Sequence, residues 1–224
     1  MMSAEESFQS PLQLPTFVSH PSVSAFHSHY RVHLSTLPTD TFTVRPNYIG
    51  TGALTFDSHS CILLIQRAST DSMPNLWEVP GGGCDEEDPT ILHSLTRELY
   101  EESGLIATKV GPLVGKGHVF VTSSGKVVCK YNFVVGIDTA SESDKPHGED
   151  TGSNRNGWVK VKLDPTEHQN YVWATEEEVR TGKVRDVELK FTNAAQKQVI
   201  LDAFQLRKVE SASATEAEGT TAIG

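Results

Sequence analysis

The stretch "PGGGCDEEDPTILHSLTRELYEESGL", Pro80 to Leu105, changes character along its length. It opens on consecutive glycines, whose backbone can approach a ligand closely and can adopt conformations closed to other residues. It ends by placing Glu98, Glu101 and Glu102 close together. Between these ends the pattern is helical. Asp88 followed by Pro89 predicts a helix start, because Asp accepts from unpaired first-turn amides and Pro lacks the amide that would go unpaired. Gly104 predicts the stop, with Leu105 closing the hydrophobic contact of the cap. Leu92, Leu95 and Leu99 recur near helical spacing and predict a buried stripe. The three glutamates fall together beside that stripe, since residues three and four apart are neighbours on a helix.

Grouped carboxylates repel one another and raise each other's pKa unless a cation neutralises them. Arg97 can pair with only part of that charge. The remainder suits a hard cation with oxygen ligands, Mg²⁺ or Mn²⁺. A solvated acidic face is the ordinary explanation for helical glutamates. It leaves unexplained the glycine run before the helix and the single arginine at its fixed offset.

On either side of this stretch, strand and helix signals alternate. "YIGTGALTF" and "CILLIQRA" predict two strands joined by the turn "DSHS", and "LWEVP" predicts a short strand ended by Pro80. "KVGPLVGKGHVFV" and "KVVCKYNFVVGI" predict a hairpin turning at "SSG". "WVKVKL" and "YVWA" predict further strands. "TEEEVRTG" predicts a short helix capped by Thr175 and ended by Gly182, and "NAAQKQVILDAFQL" a last helix. Hairpins among the strands favour an α/β fold with a mixed sheet covered by helices on both faces over a doubly wound parallel sheet.

Residues 1–46, rich in Ser, Thr, Pro and His, predict a partly ordered N-terminal arm ahead of a domain over residues 47–207. Within the arm, "HSHYRVH" (His27 to His33) has no carboxylate or cysteine to complete a metal site and reads as a polar segment with incidental histidines. The polar stretch over residues 138–157 predicts a long mobile loop. Residues 208–224, small, polar and acidic, predict a disordered tail.

The whole chain has 224 residues, a net charge of −10 and a sequence pI near 5.3. That charge argues against an electrostatic nucleic-acid binder, which would show a basic face. Cys61, Cys84 and Cys129 are few and far apart, without zinc-ligand spacing. No secretory leader and no apolar run of membrane-spanning length is present, so a cytoplasmic, membrane-free protein is expected.

The segment Arg97 to Leu105, "RELYEESGL", resembles the second half of the Nudix hydrolase signature G-x5-E-x7-R-E-U-x-E-E-x-G-U at every specified position, where U is a bulky aliphatic residue. "VPGGG" matches the usual approach to it. One departure stands out: Pro89 occupies the place of the family's first glutamate, and the longer loop "CDEED" offers Asp88 or Glu87 instead. The resemblance implies a Nudix-type α/β/α sandwich and divalent-metal-dependent hydrolysis of a diphosphate linked to another moiety. By residue-to-residue carry-over, Glu101 and Glu102 are the implied direct metal ligands, and Glu98 is a ligand or the base on the attacking water. Arg97 would orient Glu98, and the Gly81 carbonyl would complete the metal shell. Gly82 matches the first fixed glycine and, with Gly83, would face the substrate.

The family often draws a further acidic ligand from a distant loop. Glu167 in "EHQNYVW" is either that ligand or an exposed loop glutamate. His168 reads as a surface histidine, while Tyr171 and Trp173 read as core. The implied substrate is a small-molecule diphosphate, a nucleoside diphosphate derivative ahead of an isoprenoid or sugar diphosphate. A monomer or homodimer is expected. A non-catalytic ligand-binding module on the same fold is the competing class, and the presence of all the late glutamates weighs against it.

Overall fold

The computed structural model describes residues 16–38, 41–138 and 159–220. The chain enters through a two-residue strand β1 (Val18–Ser19), a 3₁₀ helix (Pro21–Phe26) and α1 (Tyr30–Thr36). Strands β2 (Tyr48–Thr55), β3 (Ile62–Arg67) and β4 (Trp77–Glu78) follow, then α2 (Ile91–Ser103). The long hairpin β5 (Ala107–Val121) and β6 (Val127–Ile137) leads to β7 (His168–Ala174) and α3 (Glu176–Thr181). A small hairpin, β8 (Lys183–Val184) and β9 (Val187–Glu188), precedes α4 (Ala194–Thr220).

Two sheets form the centre. One is mixed, in the order β1-β5-β6-β2, with β1 parallel to β5, β2 parallel to β6 and the β5–β6 pair antiparallel. The other is antiparallel, in the order β4-β3-β7. Both faces of β2 and β3 are buried, which is why "IGTGALT" and "ILLI" read as continuous rather than alternating apolar runs. Their side chains feed two cores. One gathers Ile49, Leu63, Ile65 and Phe133 under Ile91, Leu92, Leu95 and Leu99 of α2. The other gathers Leu54, Leu64, Trp77 and Val172 under Ile200, Ala203 and Phe204 of α4. This is the helix–sheet–helix layering expected of the α/β class.

Several boundaries differ from the sequence reading. The cap of α2 is Thr90, whose hydroxyl accepts from the His93 amide, so Asp88 and Pro89 lie outside the helix. The stop at Gly104 holds, in the left-handed conformation that glycine tolerates. "WVKVKL" forms no strand over its described residues. Val159 and Val161 are buried and alternate with exposed Lys160 and Lys162, but the Lys162 amide donates to Ser103 O at the end of α2. The final helix does not stop near Leu206 ahead of a disordered tail but continues to Thr220. Ala and Glu in "ESASATEAE" are strong helix formers, and a helix already anchored at Ile200 and Phe204 propagates cheaply. The mobile loop expected over 138–157 falls, beyond Asp138, outside the described residues. Among the described residues no helix is long and apolar enough to cross a membrane.

The N-terminal arm is built into the first core. Val23 and Phe26 are buried, and Phe26 packs edge-on against Tyr131 and Phe133 with ring centroids 4.9 Å apart. Its histidines make local contacts: His27 with Ser19, His29 with the Glu86 carbonyl, and His33 with the Tyr131 hydroxyl.

Candidate active site

After β4 the glycine run lies alongside β2. Ala53 N donates to Pro80 O, Thr51 N to Gly82 O, and Cys84 N to Ile49 O, at 2.7, 2.8 and 3.0 Å. Two glycines are required here for different reasons. Gly81 has φ +149°, and a Cβ would meet Thr51 O at 2.2 Å. At Gly82 a Cβ would meet Glu98 Oε2 at 2.4 Å. The helix can therefore lay its carboxylates directly on this backbone, and Gly81 N donates to Glu102 Oε2 at 2.6 Å.

Arg97 organises the opposite side. Its guanidinium donates to Asp88 at 3.0 and 2.8 Å, to Glu98 Oε1 at 2.9 Å, to Glu101 Oε2 at 2.8 Å and to Gly83 O at 3.1 Å. Asp88 is buried and also accepts from Ser94 Oγ and from the Asp85 amide. Burial alone would raise its pKa, yet the bonds from Arg97 and Ser94 hold it below the ordinary carboxylate range. Asp88, next to the departure at Pro89, thus anchors Arg97.

The three helix glutamates sit in three environments. Glu101 is exposed and its described partner is Arg97. Glu98 is largely buried, and burial pushes its pKa up to about 7 against the pull of Arg97. Glu102 is buried, and burial raises it well above the usual range, only partly offset by the Gly81 amide. Carboxyl groups with raised proton affinity, grouped in this way, could hold a cation that takes oxygen donors. Glu98 and Glu102 lie deeper than Glu101, the residue paired with Glu102 as a direct ligand in the sequence resemblance.

The ends of other strands close in from the far side. Glu167 is exposed and immediately precedes β7; a ligand atom each from Glu102, Glu167 and His168 lies within 4.8 Å of the others. His168 is 2% exposed rather than a surface residue, because β7 pairs with β3 and turns the ring inward. Glu78 on β4 is buried beside it and bonds to Arg67, which also grips Asp71 at 2.9 and 2.7 Å. Tyr171 and Trp173 pack with the core as expected.

Glu78, Gly81, Gly82, Gly83 and Glu98 line one end of a cleft of about 1050 Å³. Its other walls carry Arg67, Lys116, Lys126 and Lys130 together with Asp85 and Asp202, so the cleft holds charges of both signs. His118 and Phe120, two apart on one face of β5, are also in the wall with their rings stacked at 22°. That spacing of two rings on a strand places them on a shared face.

A chain with this layered fold and this glycine–glutamate site belongs to the Nudix family: the NUDIX domain model matches residues 46–195, more than half of the sequence. The matched stretches of curated relatives are shorter. Over 96 residues the chain is 40% identical to the human m7GpppN-mRNA hydrolase NUDT17, covering 42% of this chain and 27% of that protein. Over 44 residues it is 48% identical to the RNA pyrophosphohydrolase of Rhizobium meliloti (strain 1021), covering 19% of this chain and 25% of that one. The chain therefore aligns with about a quarter of the length of these relatives. Among solved structures, the MutT protein from Methanosarcina mazei Go1 superposes with a TM-score of 0.51 at 20% identity, over 73% of this chain and 96% of that one, a likeness of fold.

Proposed function

We propose that the protein is a divalent-metal-dependent pyrophosphohydrolase that cleaves a diphosphate linked to another moiety, with a nucleoside diphosphate derivative as substrate. The observation that carries this reading is Glu98. It is largely buried against Gly82, bonded by Arg97 and pushed in pKa up to about 7, in a cleft that also carries Arg67 and three lysines. A carboxylate in that state is suited to hold or accept a proton at the pH of the reaction.

Glu98, Glu102 and Glu167 would hold Mg²⁺ or Mn²⁺, with Glu101 at the rim. The carbonyls of Pro80, Gly82 and Gly83 are engaged by Ala53, Thr51 and Arg97, which supports assigning the Gly81 carbonyl to the same shell. The bound ion would neutralise diphosphate charge and acidify a water. Arg97, itself fixed by Asp88, keeps Glu98 Oε1 in one orientation through a charge-assisted bond. Lys130 and Arg67 would offset the charge of the diphosphate, while the amides of Gly82 and Gly83 approach it without side chains in the way. The stacked His118–Phe120 pair supports a base-bearing substrate over an isoprenoid or sugar diphosphate. Two relatives are named for action on RNA, and the net charge of −10 favours a small molecule over an RNA chain here.

The test is release of product from a panel of nucleoside, dinucleotide, capped-oligonucleotide, isoprenoid and sugar diphosphates with Mg²⁺ or Mn²⁺. Cleavage of a nucleoside diphosphate derivative that stops with EDTA and with Glu98→Gln is expected. Binding without cleavage across the panel would instead mark a non-catalytic module.

A further inference from the structure

His168 is the buried polar side chain that the proposed mechanism leaves unused. Its ring is 2% exposed, and neither ring nitrogen has a hydrogen-bond partner among the described residues. Nε2 stands 3.8 Å from Glu102 Oε1 and 3.7 Å from Glu78 Oε1, too far for a hydrogen bond to either. Leaving a buried imidazole unmet is costly, and native structures seldom do it without a reason. At 3.7 Å the contact with Glu78 is electrostatic and leaves the ring nitrogens without a hydrogen bond.

Donor atoms about 2.1 Å from one shared ion stand roughly 3–4 Å apart. His168 and Glu102 already have that spacing, and the group they form with Glu167 spans no more than 4.8 Å. Glu167, the third member, is exposed. An unpartnered, buried nitrogen aimed between carboxylates is therefore a donor waiting for an acceptor that is not a proton.

We propose that His168 is a nitrogen ligand to a metal ion shared with Glu102 and Glu167, so that this position selects a first-row transition ion such as Mn²⁺ over Mg²⁺. The inference rests on the reading that Glu102 belongs to a divalent-metal site. Its physical basis is donor type: imidazole binds transition ions well, whereas Mg²⁺ takes oxygen donors and keeps its waters.

The test uses the full chain without an affinity tag and Mn²⁺ as the probe. Pulsed electron paramagnetic resonance of bound Mn²⁺ should show directly coupled ¹⁴N, and His168→Gln should abolish it. That substitution should weaken Mn²⁺ binding by about tenfold or more while changing Mg²⁺ binding far less. Bound Mn²⁺ without ¹⁴N coupling in the wild type overturns the proposal, as does unchanged Mn²⁺ affinity in a folded His168→Gln. Should that variant fail to fold, the wild-type spectrum still decides, and Glu167→Gln, at an exposed position, should weaken Mn²⁺ in its place. Mg²⁺-dependent hydrolysis without nitrogen coupling would sink this inference and leave the proposed function standing. Nitrogen coupling without hydrolysis of any diphosphate would do the reverse.

Discussion

Glu98 gives stability a pH dependence whose sign is fixed by its burial. Its pKa rises from an ordinary 4.5 to about 7 in the fold, so the folded state binds the proton more tightly than the unfolded chain. The contribution is present below about pH 4.5 and is lost as pH rises through about 7; Glu102 adds in the same direction. In EDTA, thermal unfolding should therefore shift to lower temperature between pH 5 and 8, and Glu98→Gln should flatten that trend. A divalent cation should reverse it by binding the ionised form. On a confirmed substrate the same variant should turn over roughly a hundredfold more slowly or worse. A variant that keeps most of its activity would reduce Glu98 to a structural residue.

Neighbouring glycines separate chemistry from folding. At Gly82 an added methyl meets the carboxylate of Glu98 rather than backbone, so Gly82→Ala should lose most activity by displacing that carboxylate while costing less stability than a backbone clash. At Gly81 the methyl meets the Thr51 carbonyl in a conformation foreign to alanine, so Gly81→Ala should lower the melting temperature outright. Paired melts and rates of the two variants check both statements.

At the scale of elements, α2 shows which signals are local. Its buried stripe, its glycine stop and the clustering of its glutamates follow from spacing within the helix, and all are present. The role of Asp88 is not local. It depends on Arg97 reaching back across the loop, and a cap is simply the commonest use of an Asp in that place. The burial of His168 was equally hidden, because it follows from β7 pairing with β3, a hundred residues away. The length of α4 follows from helix propensity, which outweighs the polarity of its last turns. Thr90→Ala should cost about 1 kcal/mol as a lost cap. Asp88→Ala should cost more and slow turnover, because it strands Ser94 and frees Arg97. Urea titrations with steady-state rates would distinguish the two; equal costs would contradict the anchoring role.

For the whole molecule, the arm and the family domain share one core. Phe26 contacts Tyr131 and Phe133 on β6, so Phe26→Ala should destabilise the entire protein by about 3–5 kcal/mol. Fluorescence and circular dichroism should still report a single transition. A loss confined to residues before 46, with the remainder unfolding as in the wild type, would show the arm to be an independent appendage.

Clamping also runs in the other direction. Tyr30 and Arg31 of α1 both grip Glu86, and the Ile91 amide at the head of α2 donates to Ser28 O. Anyone expressing this protein from the first residue of the family match would cut through that clasp and leave the footprint of Val23 and Phe26 wet. Such a fragment would keep every catalytic residue proposed here and still be a poor reagent. Its exposed apolar face would invite neighbours in solution, and it would be lost to precipitation before it was lost to chemistry.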